Sequence, residues 1–350
     1  MPPSPPKILD VTVRDGSFLI NHQFSPENVA KIAKALSHAG IQYAEISHGC
    51  GIGSKSLGLP ALVDDDELLQ AAKEAAPDLK FSVFISPMDL ALPIIPALVP
   101  FFEIGRVGVN VTEVSKAEKT LNKLKKYEKK VSMQLVRSHA RPPEFFQKSA
   151  IQAEEMGADI IYVVDTFGSM LPADARTYVE AAKSVTKAEI GFHGHNNIGM
   201  AIPNTLAAWE AGATWLDASL MGVGKGAGNA VLEVLTQHLQ DQDLLGEVSL
   251  DALCEGTQEA VLPLFQSAPY SKNIDLLFSL ERVDFISPQL LELFSTMLHI
   301  PLEDLITNLH AKMGEHIELT QEHIKAVFAD HGVDLEKTLK TMNPGPKANE

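Results

Sequence analysis

Apolar segments rich in strand-forming residues recur along the first 240 residues, starting near Ile8, Gln42, Phe81, Arg106, Val131, Asp159, Glu189 and Thr214. Between them the apolar positions follow a helical period. In the first gap Val29, Ile32, Ala33 and Leu36 form one stripe, Ser25 stands at the N-cap, Pro26 in the first turn and Gly40 at the stop. Gly157 and Gly212 likewise close helices just ahead of the next strand. Successive starts lie about 25 to 39 residues apart, room for one strand, one helix and two loops. Eight such units predict a (β/α)8 TIM barrel, with a doubly wound open sheet as the arrangement that shares the same alternation.

After residue 240 the strand signal stops. Helical patterns cover 251–266, 288–298, 302–313 and 320–328. The expected organisation is α/β, with a TIM-barrel domain over 1–240 and a C-terminal helical cap or small domain over 241–350. The last eight residues form a polar tail expected to be mobile.

Composition narrows the class. A 350-residue chain with 45 % hydrophobic residues and mean hydropathy +0.03 is long enough for a large core and reads as globular. Its formal charge of -16 opposes nucleic acid and anionic membrane surfaces. Lys123, Lys125, Lys126, Lys129 and Lys130 cluster, but with a single aromatic neighbour they read as a solvated face. Cys50 and Cys254 lack any CxxC spacing, which argues against a disulfide framework and a cysteine zinc site. The proline-rich start is no secretory signal, and no apolar run reaches the ~20 residues that span a bilayer. A cytoplasmic protein with neither nucleic-acid nor membrane partners is expected.

In a barrel, chemistry belongs on residues that end the strands at the C-terminal rim. Arg14 and Asp15 follow strand one, and Glu45, Ser47 and His48 follow strand two. Asp165 and Thr166 end strand six, His193 and His195 strand seven, and strand eight leads into a glycine-rich stretch closing at Asn229. Alternate strand residues share a face, so both imidazoles of His193 and His195 can address one ion. An Asp with two His suits a divalent transition ion that keeps positions open for substrate oxygens. Each residue also has a plainer role open to it. Asp15 before Gly16 suits a turn, Asp165 a helix cap, and Arg14 a structural pair with Glu45.

Four motifs in order carry a resemblance: Val-Arg-Asp-Gly-Ser at 13–17, Asp-Thr-Phe-Gly-Ser-Met-Leu-Pro at 165–172, His-Gly-His-Asn-Asn-Ile-Gly at 193–199 and Gly-Val-Gly-Lys-Gly-Ala-Gly-Asn at 222–229. The chain resembles the DRE-TIM metallolyases, also known as the HMGL-like group. The match is nearest to the 4-hydroxy-2-oxovalerate aldolases, on His22-Gln23, His48-Gly49, Ser138-His139 and Asp217-Ala-Ser-Leu. The resemblance implies a divalent metal, Mn first and Mg second, on Asp15, His193 and His195, with Asn229 as a further ligand or near neighbour. It implies a 2-oxo acid substrate giving pyruvate, and Arg14 beside the enolate oxygen. Ser17, Phe18 and Thr166 join Arg14 as substrate-binding positions. It further implies a homo-oligomer, a place in aromatic-compound breakdown, and an acylating aldehyde dehydrogenase as partner.

Departures from the pattern bear on the reaction. In the aldolases a histidine proposed as the base follows the Arg-Asp-Gly-Ser motif. Phe18 stands there instead and cannot transfer a proton. Their tyrosine after the barrel has no evident counterpart in the stretch 280–286. His22, His48 and His139, or Glu281 and Asp284 from the helical region, are the replacements available; His48, directly after strand two, is the expected base, with bracing of its own loop as its plainer role. The expected function is a metal-dependent aldolase or lyase. Two alternatives stand beside it: a Claisen-type acyl-CoA synthase or lyase using Lys225, Arg137 and Arg141, and an altered barrel that serves as a partner-binding subunit.

Overall fold

The computed structural model describes residues 4–87, 91–265, 278, 281–284, 288–314, 316, 318–335 and 337. The eight expected strands form β1 (Lys7–Asp10), β2 (Tyr43–Glu45), β3 (Lys80–Ile85), β4 (Ile104–Asn110), β5 (Lys130–Val136), β6 (Ile160–Asp165), β7 (Glu189–Gly194) and β8 (Trp215–Ala218). All neighbours pair in parallel, and β8 returns to β1 to close a barrel in sequence order. Closure excludes the open doubly wound sheet.

The first barrel helix, α1 (Pro26–His38), buries Val29, Ile32, Ala33 and Leu36 as its stripe requires. Ser25 and Asn28 complete a reciprocal capping box at its start. Helices α2 (Asp65–Ala75), α3 (Ile95–Leu98), α4 (Glu118–Lys126), α5 (Pro143–Glu155), α6 (Pro172–Val185), α7 (Ala201–Ala211) and α8 (Leu232–Gln240) follow β2 to β8 in turn. Among the described residues no helix is long and apolar enough to cross a membrane.

Inside the barrel, alternate residues build two unlike layers. The lower one is apolar, with Leu9, Ile104, Ile160 and Trp215 in one buried cluster. Two residues further along three of these strands stand Arg106, Tyr162 and Asp217, all buried. Gly191 of β7 makes room for that layer, because a Cβ there would lie 2.4 Å from the Tyr162 ring. The same face of β7 then presents His193 and, just beyond the strand, His195.

The chain divides into two compact units, Met1–Ser271 and Lys272–Glu350, a division further along than residue 240. Helix α9 (Leu250–Gly256) lies against α1 and belongs with the barrel, which hydropathy alone does not reveal. The helix expected over 251–266 breaks into a π-turn at Thr257–Val261 and a 3-10 turn at Leu262–Leu264, where Pro263 lacks the amide a helix needs. Residue 266 lies outside the described residues, as does the tail expected to be mobile. The second unit holds α10 (Pro288–Leu298), α11 (Leu302–Met313) and α12 (Gln321–Asp330) around Leu291, Leu305, Ile306, Leu309 and Phe328.

Candidate metal centre

Three chain segments meet at the C-terminal rim. Asp15 sits in a helical turn, Thr12–Gly16, directly after β1; His193 lies near the end of β7 and His195 just after it; Asn229 pairs with His195 in an isolated bridge. Asp15, His193 and His195 are buried, and one donor atom from each lies within 4.8 Å of the others. The Nδ1–H of His193 donates to Asp217 Oδ2 at 2.9 Å, and that of His195 to the Gly228 carbonyl at 3.3 Å. Each ring therefore presents its Nε2 lone pair, the tautomer a metal ligand needs.

Electrostatics prepares the same set. Burial works against ionised Asp15, but the charge of the adjoining Arg14 guanidinium leads the opposing effects, and the carboxyl stays well below the usual carboxylate range. Burial pushes His195 down to about 4 against the pull of Asp15, so the imidazole is neutral at pH 7. A carboxylate with two imidazoles is a complete donor set for a divalent ion. Asn229 donates to Asp15 Oδ2 at 2.8 Å and to the Val223 carbonyl at 3.0 Å, while its buried Oδ1 has no hydrogen-bond partner. That orphaned acceptor fits a cation, and the residues as a whole fit the group.

Beneath the donors runs a chain of charges. Arg14 bonds Asp15 Oδ1 through Nη1 at 2.5 Å and Glu45 Oε2 through Nε at 2.7 Å. Arg106 takes the same Glu45 oxygen at 2.9 Å and Asp217 Oδ2 at 2.5 Å, with Gln134 at 3.1 Å and the Tyr162 ring below. Asp217 in turn orients His193. The Arg14–Glu45 pair and the rim cation are thus one residue in both roles. Among the described residues no acceptor faces Arg14 Nη2. Arg106 and Asp217 escape a reading based on strand ends, since both lie inside strands. Their signal is a charge within an otherwise apolar run.

Other expected positions serve the loops. The His48 Nε2–H donates to the Pro60 carbonyl at 2.9 Å, and its Nδ1 accepts from the Cys50 amide at 3.0 Å. With both nitrogens engaged, His48 braces its own loop and has no lone pair left to act as the expected base. Thr166 Oγ1 accepts from the Arg137 amide at 2.8 Å. Asp165 accepts from the amides of Ser169 and Met170, the capping role. His139 Nε2 meets Ser169 Oγ at 2.9 Å. Ser17 Oγ donates to the Arg14 carbonyl at 2.7 Å, and Phe18 packs edge-on against His22. Glu281 meets Thr307 Oγ1 at 3.4 Å within the second unit.

The glycine-rich loop closes over the donors. Its Lys225 amide donates to Asp15 Oδ2 at 3.1 Å, and a Cβ on Gly224 would fall 2.2 Å from Asn229 Nδ2 and 2.5 Å from Asp15 Oδ2. Gly224→Ala is expected to weaken Mn binding roughly 10-fold or more, by displacing Asn229 and Asp15, with the fold retained. Calorimetric titration with Mn checks this, and an unchanged affinity counts against the packing argument.

A family model described as HMGL-like matches residues 5–87 and 103–259. The oxaloacetate decarboxylase of Mycobacterium tuberculosis is 37% identical over 77% of this chain and 80% of its own length. The 4-hydroxy-2-oxovalerate aldolase of Thermus thermophilus is 38% identical over 76% of this chain and 78% of its own. Among solved structures, the carboxyl transferase domain of Rhizobium etli pyruvate carboxylase, with pyruvate and biocytin, superposes with TM-score 0.79 at 17% identity. That match covers 98% of this chain and 62% of the other, and it shows a shared fold.

Proposed function

The chain belongs to the HMGL-like family and is a carbon-carbon lyase of the aldolase type, and from that premise we propose that it cleaves a 4-hydroxy-2-oxo acid into pyruvate and an aldehyde, using a divalent metal, Mn first and Mg second. The observation that carries this reading is the buried set Asp15, His193 and His195 with the Arg14 guanidinium beside it. When bound, a divalent ion supplies Lewis acidity toward the keto and carboxylate oxygens of a 2-oxo acid.

The chain's own residues do the rest. Arg14 is fixed by Asp15 and Glu45, so its Nη2 is preorganised to meet negative charge growing on the 2-oxo oxygen. Asp217, anchored by Arg106, holds His193 in its donor tautomer. In the cleavage the C4 hydroxyl loses its proton and its O–H pair becomes the aldehyde carbonyl. The C3–C4 bond breaks, and its electrons form the enolate of pyruvate, which is protonated at C3. The aldehyde is the product an acylating aldehyde dehydrogenase partner would take.

A second reading rests on Phe18, which brings no proton acceptor to the rim, and on the relative named a decarboxylase. Decarboxylation of a 2-oxo dicarboxylate reaches the same enolate without deprotonating a hydroxyl. The acyl-CoA alternative gains little, because Arg137 bonds Asn110 and Arg141 bonds the Ala140 carbonyl.

The test is a proton NMR screen in deuterium oxide with Mn-loaded protein. Pyruvate methyl protons are expected to exchange with solvent, and 4-hydroxy-2-oxovalerate to yield pyruvate and acetaldehyde. A methyl signal that persists together with an uncleaved substrate would overturn the proposal.

A further inference from the structure

Breaking the C3–C4 bond requires a group to take the C4 hydroxyl proton, and with His48 committed to its loop that group must be another. We infer that it is His22, acting through Nε2, an assignment that rests on the aldolase reading above. Ser17 Oγ lies 2.7 Å from the Arg14 carbonyl, an oxygen that can only accept, so the hydroxyl hydrogen is spent there. The contact between Ser17 Oγ and His22 Nδ1 at 2.8 Å must then be a donation from Nδ1–H. The tautomer is fixed, and the Nε2 lone pair has no donor or acceptor among the described residues. Of the rim imidazoles outside the metal donor set, His48 and His139 have their Nε2 hydrogen-bonded.

Its position is built. The ring stacks on His48 with centroids 4.0 Å apart, meets the edge of Phe18 at 4.8 Å, and lines a small cavity with Ser17, Ser47 and Lys55. Residues Asn21 and His22 both take left-handed backbone conformations, φ +50° and +60°, which non-glycine residues adopt at a cost. The chain accepts that strain at the residue whose ring lines this cavity. Burial, then the neighbouring His48, pushes His22 down to about 4 against the pull of Asp15, so the ring is neutral and able to accept a proton at pH 7. The proton passes from the substrate oxygen to Nε2, the O–H pair forms the carbonyl, and the bond electrons leave on the pyruvate enolate. In the reverse direction the same nitrogen returns the proton to the aldehyde oxygen.

The experiment compares two reactions on Mn-loaded wild type and His22→Gln. Retro-aldol cleavage of 4-hydroxy-2-oxovalerate needs the proton acceptor, whereas decarboxylation of oxaloacetate reaches the enolate without one. Expected is a loss of about 100-fold or more in kcat for cleavage, the scale of general-base catalysis, with decarboxylation changed by less than about fivefold and Mn content unchanged. Cleavage by the variant within about fivefold of wild type would overturn the assignment. So would an equal fall in both reactions at full Mn content, since that reports a structural role. A wild type that decarboxylates oxaloacetate but cleaves no 4-hydroxy-2-oxo acid would instead reject the aldolase reading itself.

Discussion

Asp15→Asn is expected to abolish stoichiometric metal binding, and with it cleavage. Asp15 is the one carboxylate in the donor set, beside the imidazoles of His193 and His195, the latter kept neutral by burial. Its carboxylate accepts from Arg14 and Lys225 as well as from Asn229. An amide of the same size turns at least one of those contacts into donor against donor, and it removes the charge that offsets Arg14. Mn measured after dialysis should fall from about one per chain to near zero. His193→Ala or His195→Ala should do the same, the former also taking from Asp217 the imidazole it orients. Stoichiometric Mn retained by any of the three variants would remove that residue from the ligand set.

Arg14→Ala should separate chemistry from metal binding. The donors remain, so Mn content stays near wild type, while kcat falls roughly 10²- to 10³-fold, the range for losing one preorganised donor to a developing oxyanion. KM should move far less, because the interaction strengthens only as the enolate forms. Arg14→Lys keeps a cation but cannot bridge Asp15 and Glu45 with one planar fork, so it should recover only part of the rate. Glu45 retains Arg106 in both variants, which protects the barrel floor. Steady-state kinetics with parallel metal analysis decides the matter, and an unaffected rate would reject the role assigned to Arg14.

Much of this arrangement is legible along the chain. All eight strands begin within two residues of their expected starts, because each is a short apolar run bounded by loops and followed by a periodic helix. Asp15, His193 and His195 are readable because a barrel puts strand ends on one rim. Less visible is whatever depends on distant pairing. Arg106 meets Asp217 across 111 residues of sequence, and nothing local marks either as part of one charged layer. The continuation of the barrel unit through α9 is equally hidden, since a helix lying against α1 looks in sequence like any other amphipathic helix.

His48 and His22 show the limit most clearly. Position after strand two favours His48, but a histidine's capacity to accept a proton depends on what its two nitrogens already hold. The Pro60 carbonyl and the Cys50 amide take both of those on His48. Ser17, turned toward the Arg14 carbonyl, leaves Nε2 of His22 open. Residue types bring out the candidate donor set, whereas the free and engaged nitrogens of each histidine are set by hydrogen bonds that the sequence does not display.

The central claim is that one divalent ion at Asp15, His193 and His195 supports cleavage to pyruvate. Its most direct test is pyruvate release from 4-hydroxy-2-oxovalerate as Mn is added back to chelator-stripped protein. The rate should start near zero, rise in proportion to added Mn and level off at about one ion per chain. Full activity in the stripped protein, or no pyruvate at any Mn level, would contradict it.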